Sequence, residues 1–164
     1  MLWSKEIEFE VGRRILRAEQ GARDALVGIA AVADLLADST DGRPSGRVKQ
    51  ARQLEQAVER AEVLRMMEPA LYAQVQQAKE SLDEARTLRN LLVRSASNIV
   101  IVEARKRLLL PASQRTLIRH GHMGLVRASY GFDPNRGFRF ATHARWWVRR
   151  RMNRALTSAE PTWH

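Results

Sequence analysis

Apolar side chains recur at intervals of three and four residues along most of this chain, which is the period of an amphipathic α-helix. The first run begins after Ser4, a residue type that caps helices well, and it is predicted to continue to about Ala37. Its apolar positions are Ile7, Val11, Ile15, Ala18, Ala22, Leu26, Ile29 and Val32. Residues 39–46 are the densest cluster of turn residues in the chain, so we predict a loop there.

Two longer segments with the same periodicity follow this loop. Residues 48–67 read as a charged amphipathic helix, and Pro69 stands where the first turn of the next helix, residues 70–95, would begin. The two segments together predict a helical hairpin.

The remaining elements are shorter. Residues 98–110 contain four β-branched residues in succession, which suits a strand, but no neighbouring segment offers a partner strand, so we predict a helix. Residues 113–129 and 141–156 are also predicted helices, joined by a loop at residues 130–139. The fold class is therefore expected to be all-α.

The positive charge of the chain is concentrated in one segment. Residues 104–154 hold thirteen basic residues and a single acid, Asp133, whereas the remainder holds 15 basic and 17 acidic residues. All of the net charge of +10 thus belongs to about a third of the molecule, as in a polyanion-binding surface. A basic face that serves only solubility is the alternative, but uncompensated like charges repel one another and cost stability.

Several functional classes are disfavoured by the sequence. The chain has no cysteine, and its apolar stretches are too short to span a bilayer, so we expect a soluble protein without disulfides or thiol chemistry. No glycine-rich phosphate loop or paired carboxylates appear, so we expect no enzyme, no cofactor and no small-molecule substrate. His120 and His122 are two residues apart and would point to different sides of a helix, which disfavours a metal site.

Residues 138–154 alternate two phenylalanines and two tryptophans with six arginines. Arginine binds phosphates or guanine edges, and exposed aromatic rings can stack on unpaired bases, so the segment suits melted DNA. On a helix, Trp146, Arg150, Asn153 and Arg154 would lie close to one face. His143 and Trp147 would form a neighbouring pair. Two adjacent tryptophans cannot both face one core, so at least one is expected at the surface.

Residues 118–128 and 130–149 resemble the second conserved region of primary-type, housekeeping-like sigma factors of bacteria and plastids. The run Phe132-Asp-Pro-Asn-Arg-Gly-Phe-Arg-Phe140 and the Trp146-Trp147 pair stand at that family's spacing. Residues 98–102 resemble, more weakly, the helix that opens this region, and residues 2–15 resemble the late part of the first conserved region.

The resemblance implies an all-α helical bundle of the sigma region-two type with an N-terminal helix and an inserted helical hairpin. Residues 1–38 would be the conserved N-terminal helix, and residues 39–95 a loop and a non-conserved hairpin. Residues 96–164 would carry the helices that bind the polymerase core and the promoter.

The resemblance also implies a function in transcription initiation. The protein would bind the beta-prime clamp helices of core RNA polymerase, and its last helix would recognise and melt the minus-ten promoter element on the non-template strand. The implied DNA-binding residues are Phe138, Arg139, Phe140, Thr142, His143, Trp146, Trp147, Arg150, Asn153 and Arg154. The implied polymerase-binding residues are Thr116, Leu117, Arg119, His120 and Met123. Such a protein would work in the bacterial cytoplasm and nucleoid, or in the plastid stroma of a photosynthetic eukaryote.

Five positions depart from the family's pattern. His143 replaces a tyrosine that stacks on the flipped base. Arg150 replaces a glutamine, and arginine at this position would favour guanine over adenine. Arg119 and His120 replace Gln-Glu, and Thr116 replaces Asp, so an acidic docking surface has become neutral or basic. If the polymerase presents arginines there, docking should weaken.

These departures leave two alternatives open. The chain could be a truncated or divergent sigma-derived DNA-binding regulator without initiation activity. It could also be a helical protein that binds nucleic acid without sequence preference, in which case binding would fall steeply with salt and ignore sequence.

Overall fold

The computed structural model describes residues 3–37, 43–107 and 113–158. Its helices are α1 (Lys5–Leu26), α2 (Ala33–Leu36), α3 (Pro44–Leu64), α4 (Tyr72–Ser95), α5 (Asn98–Arg105), α6 (Gln114–Gly131) and α7 (Phe140–Ser158). Short 3₁₀ turns lie at Ala30–Val32, Pro69–Leu71 and Pro134–Arg136. These ranges contain no strand, so the all-α prediction is confirmed. None of their helices combines the length and the hydropathy that a bilayer crossing requires.

The first helix is shorter than predicted because Gly28 breaks it. Gly28 has a φ of +91°, a left-handed conformation that favours glycine, and α1 ends just before it at Leu26. The predicted loop at residues 39–46 is also shorter on its C-terminal side, since α3 begins at Pro44. The fixed φ of proline suits this first helical position. Residues 38–42 and 108–110 of the predicted elements lie outside the described residues.

The chain divides into two compact units, and we call residues 10–89 the neutral unit because it holds thirteen basic and thirteen acidic residues. Residues of α1, α3 and α4, together with two from the segment between α1 and α2, form its core: Ala22, Leu26, Ile29, Val32, Leu54, Ala57, Val58, Ala61, Val75, Ala78 and Leu82. Helices α3 and α4 run antiparallel, since Glu62 meets Lys79 at 3.1 Å and Glu55 meets Arg86 at 3.6 Å. They form a helical hairpin.

We call residues 1–9 and 90–164 the basic unit because they hold fifteen basic and five acidic residues, the whole net charge of the chain. Its core lies between α5, α6 and α7 and includes Val100, Leu125, Phe140 and Val148. Helices α6 and α7 approach closely at Gly124. A Cβ atom there would lie 2.7 Å from the Trp147 carbonyl oxygen and 3.0 Å from the Val148 Cα.

The division into these two units concerns packing alone. The proposed functional division into residues 1–38, 39–95 and 96–164 concerns conserved and non-conserved regions, and it stays a prediction.

Candidate nucleic-acid interface

The N-terminus of α7 is held by a buried carboxylate from α1. Glu8 is 2 % exposed, and its Oε2 accepts hydrogen bonds from the Phe140 backbone N–H and from Arg139 Nε, both at 3.1 Å. Its Oε1 accepts one from Arg139 Nη2 at 2.8 Å. An anion is favourable at this positive end of a helix. The hydrogen bonds with Glu8 also hold the pKa of Arg139 above its ordinary value.

The periodicity of the sequence did not reveal this role of Glu8. It placed Ile7 on the buried stripe, whereas Ile7 is 48 % exposed and its neighbour Glu8 faces inward. A carboxylate whose partners lie more than 130 residues away leaves no local signal in the sequence.

The loop before α7 separates the two phenylalanines. Asp133 Oδ1 accepts a hydrogen bond from the Asn135 N–H at 2.9 Å, and Gly137 ends the 3₁₀ turn with a φ of +77°. The next residue, Phe138, is 64 % exposed, whereas Phe140 is fully buried in the core. Phe138 can therefore meet a ligand directly, and Phe140 can act only by supporting the fold.

The adjacent tryptophans also have different environments. Trp146 is 54 % exposed and Trp147 is 8 % exposed, which confirms that one of the pair lies at the surface. Their rings form an edge-to-face pair with centroids 5.0 Å apart. Trp147 also has the ring of His143 at 6.3 Å and the guanidinium of Arg127 at 5.3 Å. Trp147 thus positions Trp146 from behind.

An open groove of about 500 Å³ lies beside Trp146 and is lined by Trp146, Arg149, Arg150 and Asn153. The guanidinium of Arg150 lies 5.0 Å from the Trp146 ring centroid, within the range of a cation–π interaction. The groove therefore combines an aromatic surface with charged and amide donors. Three of its four residues were predicted DNA contacts. Arg149 was not, although it lies three residues after Trp146 and so on the same helical face.

A second buried carboxylate, Glu103 of α5, lies behind this groove. Glu103 is 1 % exposed, and it binds Arg149 through two hydrogen bonds, at 3.0 Å to Nε and 3.1 Å to Nη2. It also accepts from Arg107 Nη1 at 3.0 Å, and Arg107 Nε in turn donates to Asn153 Oδ1 at 3.1 Å. Burial by itself raises the pKa of Glu103, but hydrogen bonds from Arg149, Arg107 and Lys106 outweigh it and lower that pKa to about 2. The sequence signal for Glu103 was a single acid within the apolar run of residues 98–104.

The remaining predicted DNA contacts lie at the surface or close to it. Thr142 and Arg154 are exposed. His143 is half-buried, with its Nε2 3.1 Å from the carbonyl oxygen of Ala128 and its ring 6.1 Å from that of Phe132. The His143 ring is therefore held by α6 as well as by its own helix.

The residues predicted to dock on the polymerase also differ in their exposure to solvent. Ser113 caps α6 by accepting a hydrogen bond from the Thr116 N–H at 3.2 Å. Arg119 and Met123 are exposed, whereas Leu117 is fully buried, so Leu117 supports the helix and does not face a partner in this structure. His120 is half-buried. The sequence of α6 contains no acidic residue.

The sequence of this chain is similar to those of known proteins. Residues 86–162 match the family described as sigma-70 region 2. The chain is 30% identical over 159 residues to the RNA polymerase sigma factor SigA1 of Synechococcus elongatus. It is 33% identical over 84 residues to SigA of Microcystis aeruginosa and 33% identical over 81 residues to the principal sigma factor HrdD of Streptomyces coelicolor.

These matches cover different shares of the proteins compared. The SigA1 match covers 93% of this chain and 35% of the relative, and the SigA match covers 51% and 20%. The HrdD match covers 49% of this chain and 24% of that relative. The chain thus spans between a fifth and about a third of the length of the curated relatives that it matches.

Proposed function

We propose that this chain, whose residues 86–162 match the sigma-70 region 2 family, is a member of that family and a non-catalytic transcription initiation protein. It binds core RNA polymerase, recognises the minus-ten promoter element on the non-template strand and helps to open it. The relatives named above come from bacteria, and we accordingly propose the cytoplasm and nucleoid as its location. The finer assignment to the primary-type group is part of the same proposal, supported by identities of 30% to 33%.

The observation that carries this proposal is the exposed Trp146 beside the cationic groove. An unpaired base gains stacking energy on an exposed aromatic ring, and such stacking contributes about 1–3 kcal/mol per base. The guanidinium of Arg150 lies against the same ring, where it can contact a phosphate or the edge of a guanine. Exposed Phe138 offers a second aromatic surface in the loop just before α7. Together these groups suit a single strand pulled out of a duplex.

We further propose that α6 provides the docking surface for the polymerase core. Its exposed face presents Arg115, Arg119, His122 and Met123, and the whole helix lacks an acid. Opposite charges across an interface favour encounter and register, so a partner surface matched to this face would be acidic.

Binding to a fluorescent single-stranded minus-ten oligonucleotide and to a scrambled oligonucleotide, each with and without core polymerase, tests the proposal. We expect the polymerase to enhance selective binding, and Trp146→Ala to weaken minus-ten binding roughly 10- to 100-fold, as the loss of one stacked base implies. Tyr72→Ala, which removes another exposed aromatic side chain from the neutral unit, is the matched control and should leave binding unchanged. Equal, salt-sensitive binding to both oligonucleotides would instead identify a protein that binds nucleic acid without sequence preference.

The basic face of α6 also favours a second candidate function, a sigma-derived regulator that binds promoter DNA without initiating transcription. If the polymerase presents arginines to α6, the two surfaces repel each other. Selective oligonucleotide binding that core polymerase does not enhance, together with no transcript in a reconstituted assay, would support this regulator over the initiation factor.

A further inference from the structure

The carboxylate of Glu103 occupies a position where an apolar side chain would be the ordinary choice. Its neighbours Ile99, Val100 and Ala104 on α5 are buried, and Glu103 itself is 1 % exposed. A buried charge is costly unless it is paired and hydrogen-bonded. Here it contacts four basic side chains, two from the turn that follows α5 and two from α7: Lys106, Arg107, Arg145 and Arg149.

Glu103 controls one wall of the groove directly. Its two oxygens bind Nε and Nη2 of Arg149, and this paired contact fixes the plane of the guanidinium group. The same contact compensates the charge of Arg149, although 48% of the arginine side chain remains exposed to solvent. Arg149 is therefore oriented, with its positive charge already partly balanced.

Glu103 controls a second wall through Arg107. The guanidinium of Arg107 donates through Nη1 to the Glu103 carboxylate and to the Glu103 backbone oxygen, at 3.0 Å and 2.8 Å. Its Nε donates to Asn153 Oδ1 at 3.1 Å. This hydrogen bond turns the amide oxygen of Asn153 towards the protein, so its amide nitrogen is the group placed to donate to a base.

We propose that Glu103 is a positioning residue that sets the base selectivity of the groove. It holds Arg149 and Asn153 in fixed orientations, from which they discriminate base edges, and it prevents Arg149 from acting as an unrestrained phosphate contact. The inference rests on the proposed function, since it assigns selectivity to a groove that binds the minus-ten strand. Phosphate contacts carry no sequence information, whereas oriented donors at base edges do.

The test measures the ratio of the dissociation constants for a scrambled and a minus-ten single-stranded oligonucleotide, over a range of salt concentrations, with the full chain. Glu103→Gln should lower this ratio about tenfold, as the loss of one oriented contact implies. It should also tighten binding to the scrambled oligonucleotide, because Arg149 becomes free to contact a phosphate. One more phosphate contact should make the slope of the logarithm of the binding constant against the logarithm of the salt concentration steeper by about 0.7. Glu6→Gln is the matched control, since it removes the same charge from an exposed position of the same unit and should keep the ratio.

A second pair of variants covers the case in which Glu103→Gln does not fold, which thermal unfolding followed by circular dichroism would reveal. Arg107→Met removes the hydrogen bond to Asn153 but leaves Glu103 paired with Arg149, and it should lower the ratio severalfold. Arg105→Met, which removes an equal charge from an exposed position two residues earlier, should not. Equal ratios in these two variants would overturn the inference.

The outcomes separate the inference from the proposed function. A native chain without preference for the minus-ten oligonucleotide overturns both. A native preference that survives in Glu103→Gln and Arg107→Met overturns the role of Glu103 alone.

Discussion

The two units of the chain treat their acidic residues differently. In the neutral unit many acids lie at the surface, where exposed pairs such as Arg14 with Glu84 and Arg60 with Asp34 balance charge locally. In the basic unit two of the four described acids, Glu8 and Glu103, are buried and bind the arginines of α7 or the loop before it. The few negative charges of the basic unit therefore organise its interior, and its described surface stays almost entirely positive. In the basic unit, the buried carboxylates of Glu8 and Glu103 thus fix the orientation of arginines that would otherwise only add positive charge.

The pH dependence of stability should show the largest difference between the buried and the exposed acids. The pKa of Glu103 lies near 2, below its ordinary value of 4.5, so the ionised carboxylate stabilises the fold above about pH 4.5. This contribution, about 3 kcal/mol by linkage, should be lost as the pH falls from about 4.5 towards 2. Glu103→Gln should lower the free energy of unfolding at pH 7 by a similar amount and flatten that part of the profile. Urea unfolding at several pH values measures both, and a variant profile as steep as the native one would contradict the assignment.

Glycine-to-alanine substitutions should show that helices pack more tightly in the basic unit than in the neutral unit. Gly124→Ala in the basic unit places a methyl group against the backbone of α7, which cannot move aside as a side chain can, and should cost about 2 kcal/mol. Gly21→Ala in the neutral unit meets only the Ser81 side chain, whose Oγ is the nearest atom at 3.4 Å, and should stabilise α1 by up to about 1 kcal/mol through helix propensity. Thermal unfolding of the two variants should thus shift in opposite directions. Shifts of the same sign would show that α6 and α7 are packed no more tightly than α1 and α4.

The smallest effect is expected at an exposed ion pair of the neutral unit. Arg60 and Asp34 meet at 3.0 Å with 46% and 67% of their side chains exposed, so solvent screens their attraction. Asp34→Asn should change the free energy of unfolding by less than about 0.5 kcal/mol, as measured by urea unfolding at pH 7. A loss comparable to that of Glu103→Gln would remove the distinction between the surface acids and the buried ones.

The sequence predicted those features that depend on local pattern. The period of apolar residues located the helices, including α5, whose β-branched residues alone would have suited a strand. The break at Gly28 was missed because apolar residues continue on both sides of it, and glycine is also tolerated inside helices, as at Gly21 and Gly124.

The candidate site was predicted only in part. The adjacency of Trp146 and Trp147 was enough to predict that one of them is exposed. The different exposures of Phe138 and Phe140 were not predicted, since both were expected to contact DNA. The contacts of Glu8 and Glu103 with α7 could not be predicted, because they join residues 46 to 132 positions apart that only tertiary packing brings together.

The hydrogen bond between Glu8 and the Phe140 N–H has a consequence for how the chain folds. The neutral unit is one continuous segment, residues 10–89, whereas the basic unit needs residues 1–9 together with residues 90–164. Closing a loop of about 130 residues carries an entropic cost before its contacts form, and structures rich in such distant contacts fold slowly. During synthesis, the first turn of α1 therefore cannot pack against α7 until α7 has left the ribosome. The proposed nucleic-acid surface becomes complete only when α7 has been made.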